Sequence, residues 1–462
     1  MLMKRFLLFA TIFSGVFTAN VNAETKYYAA DPEVVYGLMT GVSDNGRYAV
    51  ASDEDDNVAV LWDFSNPSEF KILEDGTLLY DVADDGTAVG SLYLIGGKFR
   101  AAIYRDGDWD RLADHPEVLS EQYAIAITPD ARVIAGFEYD RDKDADQGGR
   151  YFPVVWTLDE NTGEYELTKF NDLKLPDHQG FVTRTLTPDG KYIGGRLYCG
   201  SMSEIPAIID IEKHEIIYWN ELDTRLEPFY YKGNILGYFE EYYVDGYHDT
   251  SSDKTFIGEF MSSDAYGNFY GFRTVALSVS DDGQDANLAD YATIYNIHTN
   301  QFTDMSGVSA FSLGYNNGKT LFADNATMVT ISDSGEMTKQ PITDALGFST
   351  SDEISAITHG SADGKVLGGI YGIFNPAKQA PDYHPFIITL DEALAGISEI
   401  TIDNGSDIAI IVAGGRIEVA GANSVAVYDF DGKCVSTSAS SEVTPGIYIV
   451  KADNISKKVI VK

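Results

Sequence analysis

Short apolar segments separated by polar turns repeat along residues 31–390 of this 462-residue chain. In seven places a polar turn, usually Asp-Gly or Asn-Gly, precedes an apolar strand that ends in small residues. Such dipeptides adopt positive φ at little steric cost and close tight hairpins. The seven segments are residues 43–50, 83–90, 128–136, 187–194, 252–258, 316–322 and 362–368. Successive turns lie 40 to 64 residues apart, which indicates an internal structural repeat.

Two of the seven turns lack the glycine. Ala131 and Lys254 stand where the other units have Gly. Because a residue with a Cβ adopts positive φ only at a cost, we expect these two turns either to differ in geometry or to carry strain.

Each unit contains four predicted strands. One strand precedes the turn, a second follows it directly, and most units add a third apolar run and a further strand. The apolar runs after the turn strand are residues 58–62, 101–104, 153–156, 206–209, 292–295, 328–331 and 385–388. No amphipathic helical pattern interrupts them. The chain is therefore predicted to be all-β, with a seven-bladed β-propeller over residues 24–395.

The predicted ring needs a strand from each end of the repeat region. The last unit ends after Leu390 without an outer strand, and residues 25–29 form a spare strand near the N-terminus. Pairing these two segments would close the ring and protect both sheet edges.

Residues 397–462 have a different sequence pattern from the repeats. Apolar and polar residues alternate strictly, and Gly turns separate the runs, as in 425–433 and 445–451. This pattern is typical of a small β-sandwich, so the C-terminal region is predicted to be a second domain.

The first 23 residues have the features of a secretory signal. Lys4 and Arg5 precede an apolar run from Phe6 to Ala19, and Val21 and Ala23 occupy the −3 and −1 positions of a cleavage site. No other stretch approaches the length of a membrane span. We therefore expect an exported protein without a transmembrane segment, located outside the cell, at its surface or in the periplasm. Cys199 and Cys434 are expected to be unpaired, partly buried thiols.

The charge of the chain limits its partners. It has 33 Lys and Arg against 71 Asp and Glu, a formal net charge of −38. Nucleic acids need a cationic face on the protein, so nucleic-acid binding is excluded as a general function. Hydrophobic residues make up 44% of the chain, which is too many for a disordered acidic polymer.

Two segments are candidate sites. The first is an acidic loop in which carboxylates alternate with other residues before a Gly pair, a composition that suits Ca²⁺. The spacing does not match an EF-hand, and the interpretation that we favour is a solvated acidic hairpin between two strands. Its candidate ligands are Asp140, Asp142, Asp144 and Asp146.

The second segment is rich in aromatic residues and falls within a long unit, where insertions project from a propeller face. Exposed rings there would stack on sugars or anchor a protein partner, although about half of them are expected to pack between blades. The candidate ligand-binding residues are Tyr230, Tyr231, Tyr238, Tyr242, Tyr243 and Tyr247, and the crowding continues at Tyr266, Phe269, Tyr270 and Phe272.

Two resemblances follow from these motifs. The repeats, most clearly residues 81–90 with 101–107, resemble the HAF-type repeats of bacterial extracellular propellers, which imply export but no particular activity. The Gly446–Lys451 run and the terminal basic-apolar strand resemble the C-terminal sorting domain of the type IX (Por) secretion pathway of Bacteroidetes. That resemblance implies contact with outer-membrane secretion machinery. The Pro-Asn-Pro turn that usually opens the sorting domain is replaced here by Ile402-Asp403-Asn404-Gly405.

No linear catalytic motif is present: the chain lacks metalloprotease, nucleophile-elbow, phosphate-loop and dinucleotide signatures. The sequence therefore favours a non-catalytic binding propeller for a glycan or an extracellular protein. A polysaccharide hydrolase or lyase with a site in the central channel is the alternative, because propellers assemble channel residues from several blades. A purely structural envelope protein is a third hypothesis.

Overall fold

The structure is a computed structural model, and each of its two compact units is described by itself. These units are Met1–Ala395 and Gly396–Lys462. The structure describes residues 26–29, 37–53, 58–64, 70–73, 76–94, 98–113, 121–140, 150–170, 173, 180–198, 204–218, 258–279, 286–323, 326–332, 335–345, 353–377, 379–390, 409–413, 416–420, 422, 424–429, 433–443, 446–452 and 455–461. The predicted signal segment lies outside these residues.

The described part of the first unit forms seven four-stranded antiparallel sheets, numbered here by the order of their first strands. A single strand, β1 (Lys26–Ala29), precedes them. Sheet 1 contains β2 (Leu38–Val42), β3 (Tyr48–Asp53), β4 (Val58–Asp63) and β5 (Phe70–Ile72). Sheet 2 contains β6 (Thr77–Val82), β7 (Ala88–Leu94), β8 (Lys98–Arg105) and β9 (Asp108–Arg111). Sheet 3 contains β10 (Glu121–Ile127), β11 (Val133–Asp140), β12 (Arg150–Leu158) and β13 (Tyr165–Lys169).

The remaining four sheets repeat the same strand order. Sheet 4 contains β14 (Gly180–Leu186), β15 (Tyr192–Tyr198), β16 (Glu204–Asp210) and β17 (Glu215–Tyr218). Sheet 5 contains β18 (Gly258–Ser263), β19 (Asn268–Val279), β20 (Ala286–Asn296) and β21 (Gln301–Met305). Sheet 6 contains β22 (Phe311–Tyr315), β23 (Thr320–Ala323), β24 (Thr327–Ile331) and β25 (Met337–Pro341), followed by the short helix α1 (Ile342–Ala345). Sheet 7 contains β26 (Glu353–Gly360), β27 (Val366–Asn375) and β28 (Ala380–Thr389), and its outer strand is β1.

The sheets are arranged in a ring. The first strand of each sheet contacts the first strand of the next, and β26 of sheet 7 contacts β2 of sheet 1. Apolar clusters fill the space between neighbouring sheets, as where Phe181 of sheet 4 packs with Val155 of sheet 3. A cyclic array of four-stranded meanders with first strands around the axis is a β-propeller, so the predicted all-β propeller fold is confirmed.

The predicted N-terminal closing strand is found. Strand β1 pairs antiparallel with β28, with Tyr27 opposite Ile388 and Tyr28 opposite Ile387. Sheet 7 is thus built from both ends of the repeat region, and the hydrogen-bonding edge of β28 is covered.

Four of the turns between first and second strands share one pattern of side-chain hydrogen bonds. The hydroxyl of Ser43 donates to Oδ1 of Asn45 and accepts from the N–H of Tyr48. Thr128, Thr187 and Ser361 do the same with the Asp two residues on and the N–H five residues on. The Ser/Thr and Asx positions of the repeat therefore fix the hairpin through local hydrogen bonds.

The turn without glycine in sheet 3 keeps the geometry of the others and is strained. Ala131 has φ of 57°, close to the 70° of Gly190 in sheet 4. Lys254, the other replacement, lies outside the described residues. The turn predicted at 252–254 lies outside the described residues as well. Sheet 5 closes the hairpin between its first two strands with a different turn, Asp264–Gly267, which the repeat pattern did not predict.

A β-bulge interrupts every first strand at the same place. In each of the seven sheets the register shifts at the residue three positions before the turn begins. The bulge residues are Thr40, Tyr80, Ile125, Arg184, Met261, Ser312 and Thr358. The sequence pattern did not reveal this feature, because no residue type is shared among the seven positions.

The second unit contains two sheets. The first consists of β29 (Ala409–Ala413), β30 (Arg416–Ala420) and β33 (Ser440–Glu442). The second consists of β32 (Cys434–Ser436), β31 (Val425–Asp429), β34 (Gly446–Ala452) and β35 (Ile455–Val461). Ile417 of the first sheet and Val427 and Val450 of the second share one buried cluster. Cys434 is free and exposed rather than partly buried, and Cys199 lies outside the described residues.

Removing the closing strand is expected to destabilise the ring. A chain that begins at Ala30 instead of Glu24 loses four residue pairs between β1 and β28. At about 1 kcal/mol for each hydrogen bond, urea denaturation is expected to show a loss of about 2–4 kcal/mol. A chain that begins at Lys26 serves as the control and should match the Glu24 form. Equal stability of all three chains would contradict the closing role.

The strain at Ala131 is also measurable. We expect Ala131→Gly to raise the free energy of unfolding by about 0.5–1 kcal/mol, because glycine relieves the positive φ. The reciprocal change at the equivalent position, Gly190→Ala, should lower it by about 1–2 kcal/mol. Changes of the same sign in both variants would show that φ does not govern these turns.

Candidate functional site

Most of the residues predicted to bind ligand fall outside the described residues. Tyr230, Tyr231, Tyr238, Tyr242, Tyr243 and Tyr247 lie in the segment 219–257, and Asp142, Asp144 and Asp146 lie in 141–149. Asp140 is described: it ends β11, opposite Arg150 of β12, and is half-buried. Among the described residues, no three His, Cys, Asp or Glu side chains are placed to hold a metal ion.

The aromatic residues that follow the 219–257 segment divide as expected between packing and exposure. Phe269 and Tyr270 are fully buried, whereas Tyr266 is 44% exposed. A Cβ on Gly194 would lie 2.7 Å from Phe269, and one on Gly314 would lie 2.3 Å from Tyr270. The two rings therefore fill glycine-lined spaces in sheets 4 and 6 and are not available to a ligand.

A different set of rings forms a continuous row, called here the aromatic row. Tyr93 and Phe99 are paired across β7 and β8, and Phe99 contacts Tyr123 of β10 with ring centroids 5.6 Å apart. The row continues through Phe137 at 5.1 Å and Tyr151 at 5.5 Å. Tyr139 stacks on Tyr151 at 4.7 Å, and Tyr80 joins Tyr123 at 6.4 Å. The seven rings come from sheets 2 and 3.

The position of the row explains its exposure. Tyr93, Phe99, Tyr139 and Tyr151 lie at the ends of strands, next to the connections 95–97 and 141–149. Tyr93 is 50% exposed, and the other six rings are half-buried. Rings at this end of the sheets are held by one another rather than by the core, and each such contact contributes about 0.5–1.5 kcal/mol.

Polar groups accompany the row. The Tyr123 hydroxyl donates to Glu121 Oε2 at 3.0 Å. Burial and the neighbouring Glu121 carboxylate raise the pKa of Tyr123 well above its usual value, so the phenol stays protonated. On the other face of sheet 3, Gln122 donates to the buried Glu138, which also pairs with Lys169 at 2.8 Å. This second network fixes the strands that present the rings.

The first strands bring together charges from different sheets. Arg184, the bulge residue of sheet 4, donates through Nε to Glu259 Oε1 of sheet 5 at 2.5 Å. Arg196 approaches the same oxygen at 3.5 Å. Glu259 is buried, and the Arg184 side chain is 43% exposed. On the first strands as the structure describes them, Arg184 is the only Lys or Arg.

A second group of charges lies near the turns of sheets 1 and 2. Asp81 Oδ1 accepts from the N–H of Val82 and Oδ2 from the N–H of Ile127, at 2.8 and 2.9 Å. Burial, only partly offset by these hydrogen bonds, raises the pKa of Asp81 to about 7. Burial and the nearby Asp84 raise the pKa of Asp44 to about 6. Both carboxyls therefore titrate near neutral pH.

Comparison with known proteins finds only distant similarity to solved structures. No protein-family model matches the chain, and no curated protein matches it. The polysaccharide lyase Uly1 is 9% identical, with 81% of this chain and 93% of that chain covered and a TM-score of 0.44. The propeller domain of the Trilobed protease from Pyrococcus furiosus is 7% identical, with 76% and 93% covered and a TM-score of 0.40.

A prolyl endopeptidase is 11% identical with a TM-score of 0.40, and the match covers 93% of this chain but 55% of that one. The chain thus spans about half the length of that enzyme. Such low identities and TM-scores say nothing about activity. The ring of sheets and the aromatic row define the chain as a β-propeller protein with an aromatic surface on sheets 2 and 3. Among the described residues, no helix is long and apolar enough to span a membrane.

The raised pKa values predict how stability depends on pH. Because Asp44 and Asp81 hold their protons more tightly in the folded chain than in the unfolded chain, folding is favoured in acid. The free energy of unfolding should therefore fall as pH rises from the ordinary Asp value of 3.8 through about 6 and about 7. Between pH 5 and pH 8, Asp44→Asn should lose less free energy of unfolding than the parent chain does. Urea denaturation at the two pH values measures this difference. Asp110→Asn, on the exposed strand β9, is the control, and an identical pH profile for both variants would contradict this prediction.

Proposed function

We propose that the protein is an exported propeller that binds a glycan on the aromatic row. One observation carries the proposal: seven rings from six strands of two sheets touch in sequence, yet all remain half-buried or exposed. Rings that serve only packing become buried, as Phe269 does. Half-exposed rings in a line offer flat apolar faces to the C–H faces of consecutive sugars.

The neighbouring polar groups support a glycan over a protein partner. Glu121 lies beside Tyr123, and Asp140 follows Tyr139 directly at the end of β11. Carboxylates accept hydrogen bonds from hydroxyl groups, which a sugar presents along its ring edges. The row therefore combines apolar ring faces with hydrogen-bond acceptors that lie one or two residues away from a ring.

An enzymatic role is less well supported. Asp81 has the pKa of a general acid, but both of its oxygens accept backbone N–H groups from β6 and β10. Its geometry fits a residue that joins two sheets. A polysaccharide hydrolase or lyase with channel residues remains the alternative proposal, and a structural envelope protein the third.

The finer architecture is part of the same proposal. We take the seven sheets as the seven blades of one closed ring, and the two C-terminal sheets, with their shared cluster, as a β-sandwich that serves sorting or attachment at the cell surface. The Ca²⁺ site at Asp140, Asp142, Asp144 and Asp146 stays a prediction. The loop that would hold it joins the strands that carry Tyr139 and Tyr151. A bound Ca²⁺ would therefore affect the positions of these two rings of the row.

The test uses the chain from Glu24 onward, incubated with a panel of polysaccharides with and without Ca²⁺, with retention and soluble product measured in the same tubes. For a retained glycan, Tyr93→Ala and Tyr139→Ala should each weaken binding about tenfold or more, equivalent to about 1.4 kcal/mol. Tyr266→Ala is the matched control, because Tyr266 has similar exposure in a turn of sheet 5. Thermal melting of each variant checks its fold.

Equal affinity in the two row variants and the control would contradict the row as the binding surface. Release of soluble product would support the enzyme alternative. A glycan that is retained only with Ca²⁺ would support the predicted loop site.

A further inference from the structure

The aromatic row holds a carboxylate among its rings. Glu121 begins β10, two residues before Tyr123, and its Oε2 accepts a hydrogen bond from the Tyr123 hydroxyl at 3.0 Å. In the ladder between β10 and β11, Glu121 lies directly opposite Tyr139, which stacks on Tyr151 with ring centroids 4.7 Å apart. Two rings of the row therefore flank Glu121, one along its own strand and one across the ladder.

No cation neutralises this carboxylate. Among the side chains that the structure describes, no Lys, Arg or His forms an ion pair with Glu121, whose one hydrogen-bond partner is the Tyr123 hydroxyl. Lys98 and Arg100 flank Phe99 in β8, but side chains alternate along a strand. Theirs therefore point to the face of sheet 2 opposite to the Phe99 ring. Glu121 is half-buried and contributes a negative charge to the row.

A second glutamate of sheet 3 shows the usual alternative. Glu138 is buried on the other face of the sheet, accepts a hydrogen bond from Gln122 and pairs with Lys169 at 2.8 Å. A charge that leaves water is normally paired in this way. Glu121 has a phenol donor in place of a cation, so its counter-charge can come from a ligand.

The rings favour the same kind of ligand as the carboxylate. The face of an aromatic ring carries partial negative charge, which repels an anion and attracts a cation. An ammonium group beside Glu121 would therefore interact favourably with the carboxylate and with the neighbouring rings together. The net charge of −38 adds a long-range attraction for cations.

Resting on the proposed glycan function, we propose that the row binds an amino sugar, a glycan whose units carry a free primary amine. Glu121 pairs with one protonated amine of this ligand, and the rings bind the apolar faces of the sugar units. An N-acetylated unit has an amide in place of the ammonium group and cannot form the ion pair. Glu121 then determines specificity, and the row supplies the affinity that both kinds of sugar share.

The experiment compares tetrasaccharides of glucosamine and of N-acetylglucosamine with the same linkage, at a pH at which the glucosamine amines are protonated. We expect the chain from Glu24 onward to bind the amine form about tenfold more tightly at low salt, with the preference shrinking as salt is added. Glu121→Gln should abolish the preference, because glutamine keeps an oxygen that accepts from Tyr123 but carries no charge. Glu121→Asp should keep part of the preference.

Two control variants separate the charge of Glu121 from the charge of the whole chain and from the rings. Asp110→Asn also removes one negative charge, from the exposed strand β9 of sheet 2, and should leave the preference unchanged. Tyr93→Ala removes a ring and no charge, so it should weaken binding of both tetrasaccharides in the same proportion. Thermal melting of each variant checks its fold.

Equal binding of the two tetrasaccharides by the intact chain would overturn the amino-sugar inference and leave the glycan function standing. Binding of neither tetrasaccharide, with another polysaccharide retained, would do the same. Rejection of every polysaccharide would overturn both proposals. If Asp110→Asn and Glu121→Gln reduced the preference equally, it would arise from the net charge of the chain, and the assignment to Glu121 would be wrong.

Discussion

The ring depends on how neighbouring first strands are held together where they lie closest to the axis. Each first strand is the edge strand of its sheet, so it pairs along one side only and has backbone groups to offer to the next sheet. The bulge adds to this, because it releases one residue from the register and turns its side chain along the ring. Thr40 and Ser312 use that freedom to bond carbonyls of the following sheet. The turns add a second set of links, as where Asn45 donates to Asp84 and Ala362 to Asp44.

This way of joining the sheets leaves some bulge positions free to carry other side chains. Only some of the seven bulge positions need a short hydroxyl, since the sheets are joined by apolar packing as well. Sheet 4 carries Arg184 at its bulge, and a buried glutamate on the next strand compensates it. A buried charge that loses its partner is costly, so the buried Glu259 needs cations beside it, and Arg184 and Arg196 supply them. The aromatic row arises in a similar way, at strand ends where packing demands are low.

Electrostatics sets a second constraint. Burial raises the pKa of Asp44 and of Asp81, and the neighbouring carboxylates add to the effect. Asp81 also uses its carboxyl to join sheets 2 and 3. The stability of the ring therefore depends on the protonation of a few buried carboxyls near the turns.

The sequence by itself determined much of the local structure: six of the seven predicted turns and the strands around them follow from Asx-Gly pairs, Ser/Thr positions and apolar alternation. These interactions span only about five residues, so they can be recognised without the fold. The spare strand at residues 25–29 was also recognisable, because an incomplete last unit needs a partner. The strained turn at Ala131 was one of the two outcomes that the sequence allowed.

Only the tertiary structure decided where the chemistry lies. The aromatic row joins seven rings between residues 80 and 151 from six strands. In the sequence, each ring by itself cannot be distinguished from a residue that only packs. The seven bulge residues belong to six residue types, and they come together around the axis only because the ring closes. Tyr270 shows the converse, since it belongs to the most aromatic stretch of the chain and is buried against Gly314. Exposure, contact and net charge at a point depend on which sheets become neighbours, and that is a property of the closed ring.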